Sequence, residues 1–342
     1  MLRMIEIRED VSHLTIVMTP SKKIIFIFLL FLTLQGACQV HPHYLKGCIN
    51  FIEYGFDTIN NRWNTKGKLS FVHDKKGKLK KEFFKSWNSE NKQWVAQSQT
   101  IHKYNKTKQL IESFYKNRSY KTGKLLNSKK TVFTYRKKLL TEEKIYDVSE
   151  KKAWLASCIN NYEYDSLGKT KRCITSKFNK KTFVVCATET RTYDSLSFLK
   201  EIEWENTCSG PADPPLKKTI VYNEDSTKKA ETLSTFGRNK EKIEYSYNQE
   251  KFIVESKRFE WNQDFFSWKA ISRDTFVYNN FGLIIEKINQ KFLDTDSAWQ
   301  NNRSIFYLYN SYLKLLHETE KIWIEKQKRW IPVFRREYKW GK

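Results

Sequence analysis

The chain has 342 residues, of which 39% are hydrophobic and 15% are aromatic, and its formal net charge is +24. Gly and Pro number only 11 and 6, which excludes a collagen-like chain and a Pro-rich disordered one. Phe, Trp and Tyr supply large apolar groups that suit half-buried strands. The composition predicts a folded protein, long enough for one large domain or two ordinary ones.

The N-terminus has the pattern of an export signal. Lys22 and Lys23 precede an apolar core at residues 24–34, and small residues follow at 36–38. The core is too short to be a permanent membrane-spanning helix. We predict a signal peptide over 18–38, a non-native upstream extension over 1–17 and an N-terminal segment over 39–50, because we expect translation to begin at Met18.

Cys38 has two interpretations, lipidation and simple cleavage nearby. A bacterial lipoprotein signal places Leu three residues before the lipidated Cys, whereas Leu34 lies four residues before Cys38. Both interpretations stay open, and both predict an exported protein in the periplasm, on the outer-membrane surface or outside the cell. We expect membrane attachment only through such a lipid anchor.

Four cysteines cluster in the middle of the chain. Export would place them in an oxidising compartment, which favours one or two local disulfides of undetermined connectivity. No C-x-x-C or H-x-x-x-H pair occurs, so we predict no metal site and no cofactor. The disulfide candidates are Cys158, Cys173, Cys186 and Cys208.

The charge of +24 also has two interpretations. The basic residues could attract an acidic glycan or an envelope surface. Alternatively, Lys could line sheet edges and hairpin loops and prevent aggregation. The basic residues are spread along the chain rather than gathered in one arm, which favours the second interpretation, and we do not expect nucleic acid as a partner.

An aromatic anchor recurs every 25–31 residues between residues 51 and 342. Six of the ten anchors follow a Trp by ten residues, and eight are followed by Asp or Asn. The fixed spacing predicts one rigid strand that ends at a turn initiated by Asp or Asn. The anchors are His73, Tyr104, Tyr135, Tyr164, Tyr193, Tyr222, Tyr247, Tyr278, Tyr309 and Trp340.

Each repeat is predicted to contain two antiparallel strands. In residues 268–278 the alternation places Trp268, Phe276 and Tyr278 on one face, and a second strand follows over 283–292. Gly77, Gly168 and Gly282 lie four residues past their anchors, where a tight turn needs a positive φ. The predicted fold class is all-β, with tandem two-stranded repeats of about 30 residues forming an extended, curled sheet over 51–342.

Polar tips link successive repeats and carry an aromatic residue on each shoulder. Trp261 and Trp268, on either side of one tip, are expected to pair across the hairpin. The one short step, around 233–240, places Phe236 directly beside Gly237 and predicts that a tip loop is missing there.

The strings YEYDSLGKTKR at 162–172 and RTYDSLSFLKE at 191–201 resemble the YD (Rhs-type) β-repeats of bacterial secreted proteins. With the Trp-flanked tips, the array is closer still to exported tandem-repeat proteins of Bacteroidota. The resemblance covers about residues 50–342. It implies an extended, curling antiparallel sheet, sometimes wrapped into a shell, and it implies shared architecture rather than shared activity.

No motif for a nucleophile, a phosphate-binding loop or a catalytic metal is present, so we predict no catalytic residue and no enzyme. We expect an exported structural or binding module of the cell envelope or extracellular space. The alternative is a carbohydrate- or polyanion-binding protein that uses Lys and hairpin-tip aromatics. The repeat does not require aromatics at the tips themselves, so the candidate ligand contacts are Phe265, Phe266 and Trp323.

Overall fold

The predicted repeats fold into antiparallel hairpins. The computed structural model describes residues 47–149, 152–179, 181–207 and 214–341, and within these ranges the chain forms twenty strands. The predicted signal peptide, Cys38 and Cys208 lie outside the described residues. The strands are β1 (Cys48–Asp57), β2 (Arg62–His73), β3 (Leu79–Asn88), β4 (Gln93–Tyr104), β5 (Leu110–Arg118), β6 (Leu125–Arg136), β7 (Leu139–Val148), β8 (Trp154–Tyr164), β9 (Thr170–Asn179), β10 (Thr182–Tyr193), β11 (Leu199–Asn206), β12 (Leu216–Tyr222), β13 (Lys228–Thr235), β14 (Arg238–Tyr247), β15 (Ile253–Asn262), β16 (Ser267–Tyr278), β17 (Ile284–Leu293), β18 (Ala298–Tyr309), β19 (Leu315–Ile324) and β20 (Arg329–Trp340).

The sheet closes on itself. Each strand pairs with the next one along the chain, and β20 also pairs with β1, for example through Tyr338 opposite Phe51 and Glu337 opposite Ile52. Across this seam Arg336 binds Glu53, at 2.9 Å between Nε and Oε1. The all-β, antiparallel prediction is confirmed, but the prediction of an extended, curled sheet is wrong, because the described strands form a closed 20-stranded barrel.

A β-bulge bends nine of the ten even-numbered strands that the structure describes; the exception is the short β12. The pairing register shifts seven residues before each of these anchors. A bulge kinks its strand and increases the local twist, so repeated bulges supply the curvature that brings β20 back to β1. The extra residues are Lys66, Gln97, Ser128, Ser157, Cys186, Lys240, Ile271, Asn302 and Val333.

The bulges also correct the predicted faces of the long strands. In β16, Ser272 and Ala270 are opposite the consecutive residues Arg258 and Phe259, which leaves Ile271 as the extra residue. One extra residue exchanges the two faces beyond it. Trp268 therefore lies on the face opposite Phe276 and Tyr278, and the prediction that these three share a face is wrong.

The anchors tie successive repeats together. The hydroxyl of Tyr222 donates a hydrogen bond to the carbonyl oxygen of Leu199, 3.0 Å away, and Trp340 Nε1 donates to Leu315 at 2.7 Å. In these contacts the acceptor lies at the start of the preceding odd-numbered strand, so each of these anchors fixes the turn of the neighbouring repeat. Tyr104, Tyr164, Tyr193, Tyr247, Tyr278 and Tyr309 make the same contact.

The residue after the anchor starts the turn, as predicted. Asp165 Oδ1 accepts hydrogen bonds from the backbone N–H groups of Leu167 and Lys169, at 2.9 and 2.8 Å. Gly77 and Gly282 have φ values of 75° and 73°, which confirms the predicted left-handed position. A Cβ added at Gly282 would lie 2.6 Å from a carbon of the Phe252 ring, whereas one at Gly77 would meet nothing within 4 Å.

The shoulder aromatics pair across the tips, as the sequence predicts. The rings of Trp261 and Trp268 are T-shaped at 5.1 Å between centroids. The same pairing joins the shoulders of the tips after β1, β3, β17 and β19. These rings hold the two strands of each hairpin together close to the tip, where backbone pairing ends.

Few side chains in the described part of the chain are fully buried, and one of them is a carboxylate. Glu231, 5% exposed, lies between Lys218 and Lys228, and its Oε1 is 2.7 Å from Lys228 Nζ. Burial favours the neutral acid, but the two ammonium groups outweigh it and hold the pKa of Glu231 below its ordinary value. No helix in the described part of the chain has the length and apolar character needed to cross a membrane.

Candidate ligand-binding site

The structure separates the three predicted ligand contacts. Phe265 and Phe266 lie at the tip between β15 and β16 and are 77% and 81% exposed. Trp323 instead packs against Trp330, with 5.2 Å between ring centroids, and its Nε1 donates a hydrogen bond to Glu325. Trp323 is thus half-buried in the packing of the last hairpin, two hairpins away from the two phenylalanines.

The cysteines fall into two groups. Cys186 is disulfide-bonded, whereas Cys158 and Cys173 are free thiols, as is the buried Cys48. Burial raises the pKa of the Cys173 thiol to about 11, so this thiol stays protonated and unreactive at neutral pH. Within the described residues, no group of three or more His, Cys, Asp or Glu is placed to hold a metal ion.

A notch interrupts the row of hairpin tips, next to the tip that carries Phe265 and Phe266. Only two residues, Phe236 and Gly237, connect β13 to β14, whereas four residues, 263–266, connect β15 to β16. The shortened tip leaves a cavity of about 410 Å³. We call this cavity the notch, and it is lined by Thr235, Phe236, Arg238, Asn239, Lys240 and Gln263.

The backbone at the notch holds aromatic residues in an unfavourable conformation. Phe236 and Gly237 have φ values of 47° and 72°, and two consecutive positive values define a type I′ turn, which favours Asn-Gly. Phe266 has a φ of 45°. Such a backbone costs a bulky residue on the order of 1–3 kcal/mol. The four other tips with this geometry place Asn61, Lys92, Ser297 and Lys328 at the position of Phe266.

The side chains of Phe236 and Phe266 make little packing that could compensate for the strain of their backbone. Phe236 is 72% exposed, so the neighbouring tips present three exposed phenylalanines, Phe236, Phe265 and Phe266. The shoulder rings Trp261 and Trp268 just below them are half-buried and paired. The exposed rings therefore contribute little to the fold, and they provide flat apolar surfaces at the rim.

Two basic side chains line the notch together with Phe236. Arg238 and Lys240 are exposed, and neither forms an ion pair with another described residue. Lys240 is the extra residue of the β14 bulge, and bulges commonly re-aim side chains next to functional sites. Asn239 and Gln263 add amide groups that can both donate and accept hydrogen bonds. The notch thus combines an aromatic surface, two positive charges and two amides.

The sequence predicts only part of this site. It indicates Phe265 and Phe266 as candidate contacts and predicts the shortened tip at Phe236, but it does not connect the two. The signal that could have done so is an aromatic residue directly before Gly in a two-residue tip, where Asn is favoured. Arg238 and Lys240 gave no local signal, because their lack of ion-pair partners depends on the neighbouring strands.

Comparisons with known proteins add structural matches of low similarity. No family model matches the chain, and a search of curated proteins gives no match. A DUF3836 family protein from Parabacteroides distasonis is 18% identical over 29% of this chain and 87% of its own, with a TM-score of 0.25. A porin-like protein from Bacteroides uniformis is 10% identical over 86% of this chain and 98% of its own, with a TM-score of 0.36.

A third match is the complex TcdB2-TccC3, 12% identical over 85% of this chain and 20% of that chain, with a TM-score of 0.30. These comparisons assign no family. At such TM-scores the likeness carries no argument about function, so the functional proposal depends on the chain's own residues.

Proposed function

We propose that this protein is an exported, non-catalytic repeat module of the cell envelope or extracellular space that binds carbohydrate at the notch. The observation that carries the proposal is the set of three exposed phenylalanines on two adjacent tips, two of them in a strained backbone conformation. Strain that packing does not compensate points to a functional role. Aromatic faces stack on the apolar faces of sugar rings, while amides such as Asn239 and Gln263 can bind sugar hydroxyls.

We also infer a relation to the YD-repeat proteins. The support is local: Asp165 and Asp194 follow their anchor tyrosines, and each carboxylate accepts backbone hydrogen bonds that close the turn. The role of Asp in this motif is thus structural here, in keeping with a shared architecture without a shared activity.

A glycan-binding screen at low salt tests the carbohydrate proposal. We expect the wild-type protein to bind at least one oligosaccharide class, and we expect Phe236→Asn and Phe266→Asn to weaken that binding about tenfold or more, equivalent to about 1.4 kcal/mol. Asn tolerates a positive φ better than Phe, so both variants should be at least as stable as the wild type. Weaker binding with undiminished stability excludes unfolding as the cause.

Tyr120→Ser is the matched control, because Tyr120 is fully exposed near the tip between β5 and β6, away from the notch. This variant should bind like the wild type. The proposal fails if the wild type binds no oligosaccharide, or if the two Phe variants bind as tightly as the control.

The export part of the proposal has its own test. Expression of the full chain in a bacterium with an outer membrane, followed by intact-mass measurement of the mature protein, should show that the residues before Cys38 have been removed. A mass increase at Cys38 that matches acyl chains would select lipidation over simple cleavage. A protein that still carries residues 18–37 would contradict the predicted export.

A further inference from the structure

The unpaired positive charges of the notch indicate the class of carbohydrate. On the neighbouring strands most basic side chains have a carboxylate partner. Arg258 forms an ion pair with Glu241, the acid that directly follows Lys240 in sequence, so Glu241 is not available to Lys240. Arg238 and Lys240 have no such partner among the described residues. The paired basic residues in this region are Lys217, Lys218, Lys228, Lys242, Lys251, Lys257 and Arg258.

The two cations differ in what they can recognise. The guanidinium of Arg238 is a planar fork that binds an oxyanion through two parallel hydrogen bonds. The ammonium of Lys240 is a point charge, which adds attraction without a strict geometry. Both line one cavity with the ring of Phe236, so a ligand that stacks on the ring would bring an attached anionic group near both charges.

The size of the cavity limits the ligand. A volume of about 410 Å³ lies near the lower end of the range of about 300–1,000 Å³ for small-molecule sites. The notch can therefore hold a short segment of a polymer rather than a folded partner. Single-stranded nucleic acid also combines stacking bases with a charged backbone, but its sites are grooves that follow several consecutive phosphates. Two cations in one cavity of about 410 Å³ favour a single anionic group.

We propose that the notch binds an oxyanion-bearing sugar residue of an acidic polysaccharide, with the sugar ring on Phe236 and the oxyanion on Arg238 and Lys240. This inference rests on the proposed function and specifies its ligand. The oxyanion can be the carboxylate of a uronic acid or a sulfate ester, which share the chemistry that the arginine fork recognises.

Calorimetric titration with four probes tests the inference: an oligogalacturonate, the corresponding neutral galactose oligomer, a sulfated oligosaccharide of similar length and a short thymidine oligonucleotide. We expect an acidic oligosaccharide to bind at least tenfold more tightly than the neutral one, with an affinity that falls as salt is raised. The stronger of the two acidic probes identifies the oxyanion.

Arg238→Gln and Lys240→Gln should each weaken binding of the acidic probe about three- to tenfold and leave binding of the neutral probe unchanged. Lys92→Gln is the matched control, because Lys92 is an exposed lysine at the tip between β3 and β4. This variant should bind like the wild type. All three side chains are exposed, so thermal unfolding should show folded variants.

The outcomes separate the two proposals. Equal affinity for the neutral and acidic probes, with no effect of Arg238→Gln, overturns the acidic-ligand inference and leaves the carbohydrate proposal standing. Binding of no oligosaccharide overturns both. Tighter binding of the oligonucleotide than of either acidic oligosaccharide overturns the inference in favour of a nucleic-acid ligand.

Discussion

The pairing of β1 with β20 predicts that a disulfide can be built across the seam. Ile52 and Glu337 are direct cross-strand partners, and such Cα atoms lie about 4.5–5.5 Å apart, within the range that a disulfide spans. Ile52→Cys with Glu337→Cys would close a loop of about 285 residues. The chain-entropy model gives about 5–6 kcal/mol for that loop as an upper value, and measured disulfides typically contribute about 2–4 kcal/mol.

The assay compares the oxidised and reduced forms of this one double variant, so that any cost of replacing Glu337 cancels. Mild oxidation of the folded protein should give a species that migrates faster on a non-reducing gel. Urea unfolding should then show a higher free energy of unfolding for the oxidised form.

The matched control pairs Ile52→Cys with His317→Cys. His317 lies opposite Glu337 on β19, so it is two strands from Ile52, or about 9–10 Å. This control should crosslink far more slowly. If the seam pair does not crosslink in the folded protein, or if the control crosslinks as fast, the closed sheet is refuted and an open one takes its place.

Three further predictions concern the repeat itself. Gly282→Ala and Gly77→Ala both force a side chain into a left-handed turn, which should lower the free energy of unfolding by about 1–2 kcal/mol. Only the Cβ at Gly282 also meets a ring, that of Phe252, so urea unfolding should show a further loss of about 1–3 kcal/mol for Gly282→Ala. Equal losses for the two variants would contradict the packing of Phe252 against Gly282. Tyr222→Phe should lower the free energy of unfolding by about 1 kcal/mol through the lost hydrogen bond, whereas Tyr120→Phe at a fully exposed site should change it by less than about 0.5 kcal/mol. The lowered pKa of Glu231 stabilises the fold at pH values above the ordinary carboxyl pKa of 4.5, and this contribution is lost as pH falls through the lower pKa of the folded state. The difference in the free energy of unfolding between wild type and Glu231→Gln should therefore shrink below pH 4.5. A difference that widens there would contradict the negative charge assigned to Glu231.

The parts of the fold that depend on short-range contacts could be predicted from the sequence. Asn279 closes a turn within four residues, and Trp261 pairs with Trp268 only seven residues along. Each of these contacts leaves a repeated local pattern. Tips, turns and strands therefore follow from the sequence.

Closure and the strand faces could not be predicted, for two physical reasons. Closure depends on the sum of small bends over all repeats, and the contact that marks it, Arg336 with Glu53, joins residues 283 positions apart. The strand faces depend on the bulges. The bulge position holds residues as different as Lys66, Cys186 and Ile271, so no residue type at that position predicts the bulge. A strict two-residue period then assigns Trp268 to the wrong face.

The candidate site lies between these two cases. Phe265 and Phe266 stand out in sequence because the repeat does not need them, and the shortened tip at Phe236 is visible from the spacing. The spacing does not show that Gln263 of one tip and Phe236 of the next line the same cavity. The charge imbalance at Arg238 requires the ion pairs of the adjacent strands as well.

Because the seam joins the last strand to the first, the fold does not depend on which hairpin comes first along the chain. The β1–β20 ladder has the same antiparallel pairing as the other ladders, and Gly341 N donates a hydrogen bond to Gly47 O at 2.9 Å, so the two ends of the described region meet. A circular permutant that joins these ends by a short linker and opens the polar tip at 89–92 should therefore keep every strand pair. The molecule is in this sense a ring of ten hairpins in which any tip could serve as the point where the chain begins.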